Sequence, residues 1–135
     1  MSLKPINPTS LGSPRGYSNG ILVDTPGRLL FVAGQIAWDQ DHNLVSHDFV
    51  DQFDRALANV IEVVAAAGGS ANQIVRLVIY VTDINEYRTR TREVGERYRV
   101  HMEKHFPAMV LVEVKSLLEE GALVEIEAIA ILAKP

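Results

Sequence analysis

Residues 107–131 read PAMVLVEVKSLLEEGALVEIEAIAI, two apolar runs rich in β-branched residues that flank a polar turn containing Gly121. Runs of this kind on either side of a short glycine turn predict a β-hairpin. Side chains alternate between the two faces of a strand, so each run divides by parity. One face is wholly apolar and needs a packing partner: Ala108, Val110, Val112, Val114, Ala122, Val124, Ile126 and Ala128. The other face sets carboxylates among apolar side chains, a setting in which ionisable groups are perturbed and used: Met109, Leu111, Glu113, Lys115, Leu123, Glu125, Glu127, Ile129 and Ile131.

The rest of the chain predicts two helices and three more strands. Residues 48–67 carry apolar side chains every three or four positions and end at Gly68-Gly69, as expected for an amphipathic helix with a glycine cap. Residues 74–82 predict a central strand and residues 84–105 a second helix. Residues 17–24 and 29–33 predict a further hairpin, turned at residues 25–28. The first sixteen residues, with three prolines and two glycines, predict an irregular arm.

The resulting order, ββαβαββ, predicts an α+β fold in one domain over residues 1–135. Strands connected through helices pair in parallel with right-handed crossovers, so both helices lie on one face of a mixed sheet. The other face is then left uncovered and is too apolar for a solvated monomer. We expect copies of the chain to cover it in a closed homo-oligomer. The residues expected on that face are Val78, Tyr80, Met109, Leu111, Ile129 and Ile131.

Composition narrows the function classes. The absence of cysteine excludes disulfides, cysteine-ligated zinc and thiol catalysis. Seventeen acidic residues against thirteen basic ones, a formal charge of −4, argue against a dedicated nucleic-acid binder. No run is long enough to cross a bilayer and the N-terminus has no apolar signal region, so we predict a cytoplasmic protein without a membrane partner.

Several strings, in order along the chain, resemble the Rid family (YjgF, reactive-intermediate deaminases), also labelled endoribonuclease L-PSP. The resemblance runs from about residue 16 to 131. The strings are Tyr17-Ser18, LFVAGQ at 30–35, Asp51-Gln52, ALANV at 56–60, Ala66-Ala67-Gly68, VTDIN at 81–85, Phe106-Pro107-Ala108, Val112-Glu113-Val114 and GALVEIEAIA at 121–130.

The resemblance implies a chorismate-mutase-like fold and a homotrimer that binds small metabolites in clefts between subunits. It also implies hydrolysis of enamines or imines to a carbonyl compound and ammonia, with no metal and no organic cofactor. The implied site contains Glu125 as the group that activates water, with Tyr17 and the Gly34 backbone. In the family an arginine directly after Pro-Ala holds the substrate carboxylate, and here that position is Met109. The resemblance likewise brings Ala33, Thr91 and Leu111 into the site.

Met109 leaves three functional hypotheses open. The first is an imine or enamine hydrolase of altered specificity, with Met109 and Leu111 as apolar pocket lining and another cation, such as Arg15 or Arg28, in place of the arginine. The second is a non-catalytic ligand-binding or regulatory trimer. The third is an endoribonuclease. Glu127 is interpreted as a structural residue that pairs with arginines or backbone amides at an interface.

Two further patterns favour structural interpretations. His101 and His105 have the i, i+4 spacing of a two-histidine metal site, but Met102 stands where the zinc-protease motif requires glutamate, so we predict no metal. The arginines of the second helix alternate with glutamates at i, i+4, the pattern of a solvated helix face rather than an RNA-binding strip.

Overall fold

The computed structural model describes residues 2–24 and 26–135. Within them the chain forms six strands and three α-helices. These are β1 (Leu3–Ile6), β2 (Gly20–Val23), β3 (Arg28–Gln35), α1 (Phe49–Ala66), β4 (Ile74–Val81), α2 (Ile84–Thr89), α3 (Thr91–Met102), β5 (Ala108–Glu113) and β6 (Val124–Leu132). Short 3₁₀ turns at Thr9–Leu11 and Ala71–Gln73 precede β2 and β4.

The predicted α+β class with a mixed sheet is confirmed. The main sheet has four strands in the order β3-β6-β4-β5. β4 and β5 are parallel, as expected for strands connected through helices, and β6 is antiparallel to both β3 and β4. α1 packs on β3 and β6, and α3 packs on α1, so the helices cover one face of the sheet.

The predicted hairpin of residues 107–131 is wrong. β5 pairs with β4, and β6 inserts between β3 and β4, so the two strands are not neighbours. The burial of β6 explains this position: Val124, Ile126 and Ala130 are fully buried, and a strand this apolar is stabilised most by neighbours on both edges. β5, whose Val110 and Val112 are both exposed, takes the edge.

The N-terminal predictions also need correction. β2 pairs with β1 and not with β3, so the hairpin expected from residues 17–33 does not form, and the arm expected to be irregular contains a strand. Asn7 Oδ1 accepts hydrogen bonds from the backbone N and Nδ2 of Asn19 and closes the end of this two-stranded sheet. Thr25, in the predicted turn, lies outside the described residues.

The first helix forms as predicted, with Asp48 as its N-cap. The Asp48 side chain accepts from Asp51 N, and the Arg90 guanidinium, 2.7 Å away, is the main reason why the pKa of Asp48 lies below its usual value. At the other end Gly68 has a φ of +89°, and Gly69 N donates to Val64 O, as in a Schellman cap.

The predicted second helix is broken in two at Arg90, and its last part is not helical. α3 ends at Met102, and Glu103 follows with a φ of +52°. His105 therefore lies beyond the helix, and the premise of a histidine pair on one helical face is wrong. No helix in the described part of the chain is long and apolar enough to span a membrane.

A buried glutamine fixes the start of β6. Gln52 on α1 is 0% exposed; its Nε2 donates to Ser46 O and Gly121 O, and its Oε1 accepts from Leu123 N. Replacing Gln52 with leucine removes the partner of these three backbone groups, whose hydrogen bonds are part-buried, and places an apolar side chain beside them. Since each such loss costs about 1–3 kcal/mol, we expect Gln52→Leu to lower the free energy of unfolding by roughly 3 kcal/mol.

Chemical denaturation measures this effect, and Gln73→Leu, at a partly exposed glutamine of the 3₁₀ turn before β4, serves as the control. An unfolding free energy of Gln52→Leu equal to that of the wild type contradicts the assignment.

Candidate functional site

Met109 and Leu111 lie on the helix-covered side of the sheet, not on the uncovered face that the sequence predicted. The register pairs Met109 with Leu77 and Leu111 with Ile79, whose side chains belong to the core. Side chains of residues that pair across adjacent strands lie on the same face of the sheet, and the next residue along each strand lies on the other face. Val110 therefore lies on the opposite face from Met109 and Leu111. The prediction assigned the side chains of β5 to faces as if β5 paired with β6. In the structure β5 pairs with β4, and this exchanges the two faces of β5.

A cavity of about 270 Å³ lies between α3 and β5, and we call it the helix-side pocket. Met109 and Leu111 form its floor, and Thr91 and Val94 from α3 form one wall. Gly16, directly before Tyr17, also lines it. Most of the lining is apolar, which suits the apolar part of a small ligand. Three of the sequence-predicted residues, Thr91, Met109 and Leu111, thus come together here.

Glu125 lies on the other side of the sheet, which we call the open face. It pairs with Tyr80 in the register of β4 and β6. Beside it, β3 bulges at Ala33 and Gly34, and a Cβ placed on Gly34 would lie 2.8 Å from Glu125 Cδ. Glycine at this position therefore lets the carboxylate lie directly on the backbone. Within the described residues Glu125 has no hydrogen-bond partner or salt bridge, so its carboxylate is available to a ligand.

Glu127, by contrast, is engaged. The Tyr80 hydroxyl donates to Glu127 Oε1 across the open face. This hydrogen bond, followed by partial burial, raises the pKa of Tyr80 above its usual value. The structural role predicted for Glu127 is thus present within one chain, but its partner is a tyrosine rather than an arginine or a backbone amide.

Tyr17 follows Gly16 of the helix-side pocket but lines a neighbouring cavity instead, and Ser18 beside it fixes its position. Ser18 is 7% exposed; its Oγ donates to Phe106 O at 2.5 Å, and its backbone N donates to Pro107 O. These bonds attach the segment after Gly16 to the start of β5. Tyr17 itself is 39% exposed, so its hydroxyl can reach a ligand or a second chain.

The candidate residues therefore form two groups on opposite sides of one sheet. Met109 and Leu111 face the helix-side pocket, whereas Glu125 and Gly34 occupy the open face. One chain cannot place Glu125 in the pocket that Met109 lines, because the two side chains lie on opposite faces of the sheet and β4 separates β6 from β5.

The histidines singled out by spacing are both occupied. His101 Nε2 lies 2.6 Å from Asp54 Oδ1, and His105 Nε2 lies 2.7 Å from Ile74 O. The described residues hold no group of three or more histidine, aspartate or glutamate side chains arranged to bind a metal ion.

The arginines of α2 and α3 do not form one strip. Arg90, between α2 and α3, pairs with Asp48, and Arg97 pairs with Asp54. The i, i+4 pattern implies a pair of Glu93 with Arg97, but Glu93 pairs with Arg90 instead. The predicted pair of Arg92 with Glu96 forms at 3.5 Å.

Comparison with known proteins identifies the family. The family described as Endoribonuclease L-PSP matches residues 8–132. The human 2-iminobutanoate/2-iminopropanoate deaminase is 34% identical over 116 residues, which cover 85% of this chain and 79% of the human protein. The RutC family protein PH0854 of Pyrococcus horikoshii is 36% identical over 128 residues, 94% of this chain and 89% of that protein.

Solved structures share the chorismate-mutase-like fold. The Rid family protein YyfB of Yersinia pestis, a protein of unknown function, superposes with a TM-score of 0.86 at 31% identity, over 98% of this chain and 100% of that one. The YjgF gene product of Escherichia coli superposes with a TM-score of 0.66 at 31% identity, over 93% of this chain and 92% of that one. The chain therefore belongs to the endoribonuclease L-PSP family, the Rid/YjgF family, whose relatives include imine deaminases.

Proposed function

We propose that the chain is a cofactor-independent hydrolase that converts 2-imino acids to 2-oxo acids and ammonia in clefts between the subunits of a homotrimer. The observation that carries this proposal is the Glu125 carboxylate, which has no hydrogen-bond partner among the described residues, on the face of the sheet opposite the apolar helix-side pocket. Each chain offers two halves of a site that only a neighbouring chain can complete.

The open face supports the proposed assembly. Phe31 is 70% exposed and Leu29 62% exposed on β3, and Val110 and Val112 lie exposed on β5. Burying such a surface against a second copy removes apolar area from water at roughly 25 cal/mol per Å². The chain belongs to a family that forms homotrimers, and in a trimer a heterologous interface closes after three copies.

The proposed chemistry needs only a held water and an electrophilic carbon. Glu125 accepts a proton from the water as the water oxygen bonds to the imine carbon, and the nitrogen takes up a proton from solvent as the carbon–nitrogen double bond becomes a single bond. The Glu125 carboxyl then gives its proton to the amino nitrogen, the carbon–nitrogen bond breaks to release ammonia, and the hydroxyl loses its proton to solvent as the carbonyl forms. The balance is R–C(=NH)–COO⁻ plus water to R–CO–COO⁻ plus ammonia. Gly34 lets the carboxylate lie against the bulge of β3, where backbone groups near Ala33 can bind the substrate's polar atoms.

This chain has Met109 at the position after Pro-Ala where the family pattern has a carboxylate-binding arginine. Met109 and Leu111 give the helix-side pocket an apolar floor in place of a charge, and Thr91 offers a hydroxyl at its wall. We propose that these residues contact the substrate side chain and that Tyr17 closes the cleft. The specificity then moves towards substrates with an apolar side chain.

The two other hypotheses make different predictions. A non-catalytic trimer would bind such ligands in the same clefts without consuming them. A ribonuclease would need a basic groove, but two of the arginines expected in one are tied to α1. We favour neither the non-catalytic trimer nor the ribonuclease.

The test is the rate of imine hydrolysis. An amino-acid oxidase generates 2-iminopropanoate and the leucine-derived imine in situ, and ammonia release is timed with and without the purified protein at its measured oligomeric state. We expect clear acceleration, larger for the leucine-derived imine. A folded trimer that accelerates neither reaction contradicts the proposed activity and leaves the binding hypothesis.

A further inference from the structure

An arginine at the rim of the helix-side pocket has no role in the fold. Arg99 on α3 lines this pocket together with Met109 and Leu111. It is exposed, and within the described residues its guanidinium forms no ion pair. Arg92 and Arg97 on α3, and Arg90 directly before it, each pair with a carboxylate.

The path of the Arg99 side chain depends on a glycine one turn earlier. A Cβ placed on Gly95 would lie 3.2 Å from Arg99 Nη1, closer than nine in ten real Cβ contacts, so the guanidinium would have to shift by a few tenths of an ångström. Glycine is unfavourable inside a helix because it loses more backbone entropy than any other residue. Glycine at this position of α3 leaves room for the Arg99 guanidinium over the preceding turn of the helix.

The pocket offers this guanidinium one kind of ligand. Among the described residues that line it, Arg99 is the single charged group, and the interior beyond it is apolar. A planar guanidinium binds a carboxylate through two parallel hydrogen bonds, and a rim position lets the charge stay partly hydrated. The other candidate cations lie elsewhere: Arg28 donates to Ala133 O, and neither Arg15 nor Arg28 lines the pocket.

We infer that Arg99 binds the carboxylate of a 2-oxo or 2-imino acid whose apolar side chain, larger than a methyl group, fills the helix-side pocket, and that Gly95 makes this position accessible. The inference rests on the proposed function for the identity of the acid as a substrate. The carboxylate site itself stands on the pocket and on the position of Arg99.

Calorimetric titration with 4-methyl-2-oxopentanoate, a product of the proposed reaction, tests the site without turnover. Pyruvate tests the side-chain preference, and the methyl ester of 4-methyl-2-oxopentanoate tests the charge. We expect Arg99→Gln to weaken binding of the acid by about tenfold to a hundredfold and to leave binding of the ester unchanged. Gly95→Ala, which requires the guanidinium to shift by a few tenths of an ångström, is expected to weaken binding of the acid less than Arg99→Gln does. Arg92→Gln, which removes an exposed arginine paired with Glu96, is the matched control and changes neither ligand.

Equal binding of the acid by wild type and Arg99→Gln overturns the inference, and so does an equal loss of acid and ester. Circular dichroism and thermal unfolding verify that both variants fold, which the exposure of Arg99 leads us to expect. If the wild type binds the acid through Arg99 but hydrolyses no imine, the proposed activity fails and the carboxylate site stands. If it hydrolyses imines while Arg99→Gln leaves KM and acid binding unchanged, the site fails and the activity stands.

Discussion

Glu125→Gln is expected to lower kcat for imine hydrolysis by about 10²–10⁴-fold with little change in KM, the range associated with loss of a general base. Glutamine keeps the size of the side chain but cannot accept the proton of the attacking water. Because Glu125 makes no hydrogen bond within the described part of the chain, its replacement leaves no buried group without a partner, so the fold is expected to persist.

The control for this prediction is Glu127→Gln, two positions along the same strand and on the same face. Its carboxylate accepts from Tyr80 and does not face the Gly34 bulge, so we expect a kcat within about twofold of the wild type. The measurement is ammonia release at saturating imine for both variants. A Glu125→Gln enzyme with wild-type kcat would contradict the assigned role, as would equal losses in both variants.

The elements of the fold could be read from local patterns, but the pairing of the strands could not. The stripe of α1 and the alternation of β6 each depend on near neighbours in sequence, and both formed as predicted. Which strand lies beside β5 depends on a contact between residues such as Met109 and Leu77, which are distant in sequence. The wrong neighbour moved Met109 and Leu111 to the wrong face of the sheet.

The residues of the site also differ in whether a pattern in the sequence could predict them. Glu125 and Gly34 were predicted from a resemblance that covers most of the chain, and a bulge at glycine is a local signal that the structure contains. Ser18 belongs to a string of that resemblance, but no local pattern assigns its side chain a role. Arg99 carries no such signal, because it follows four other arginines between residues 88 and 97. Only the position of Arg99 over Gly95, on the rim of a pocket, distinguishes it from the paired arginines.

The division of the site between two faces leads to the second large effect. Thr91→Trp places an indole over the mouth of the helix-side pocket, at an exposed position of α3. We expect this variant, like Glu125→Gln, to be nearly inactive alone. Each variant nevertheless retains one intact half of the site: the pocket in Glu125→Gln and the carboxylate in Thr91→Trp.

Mixed trimers of these two variants test the central claim directly. When equal amounts of the two chains are unfolded and refolded together, random assembly gives both intact halves in about one quarter of the clefts. The measurement is the rate of ammonia release by the mixture, with each variant refolded alone as the control. We predict recovery to about one quarter of the wild-type rate per cleft, as expected for a cyclic assembly. A mixture that forms mixed trimers but remains as inactive as its components would show that the site lies within a single chain.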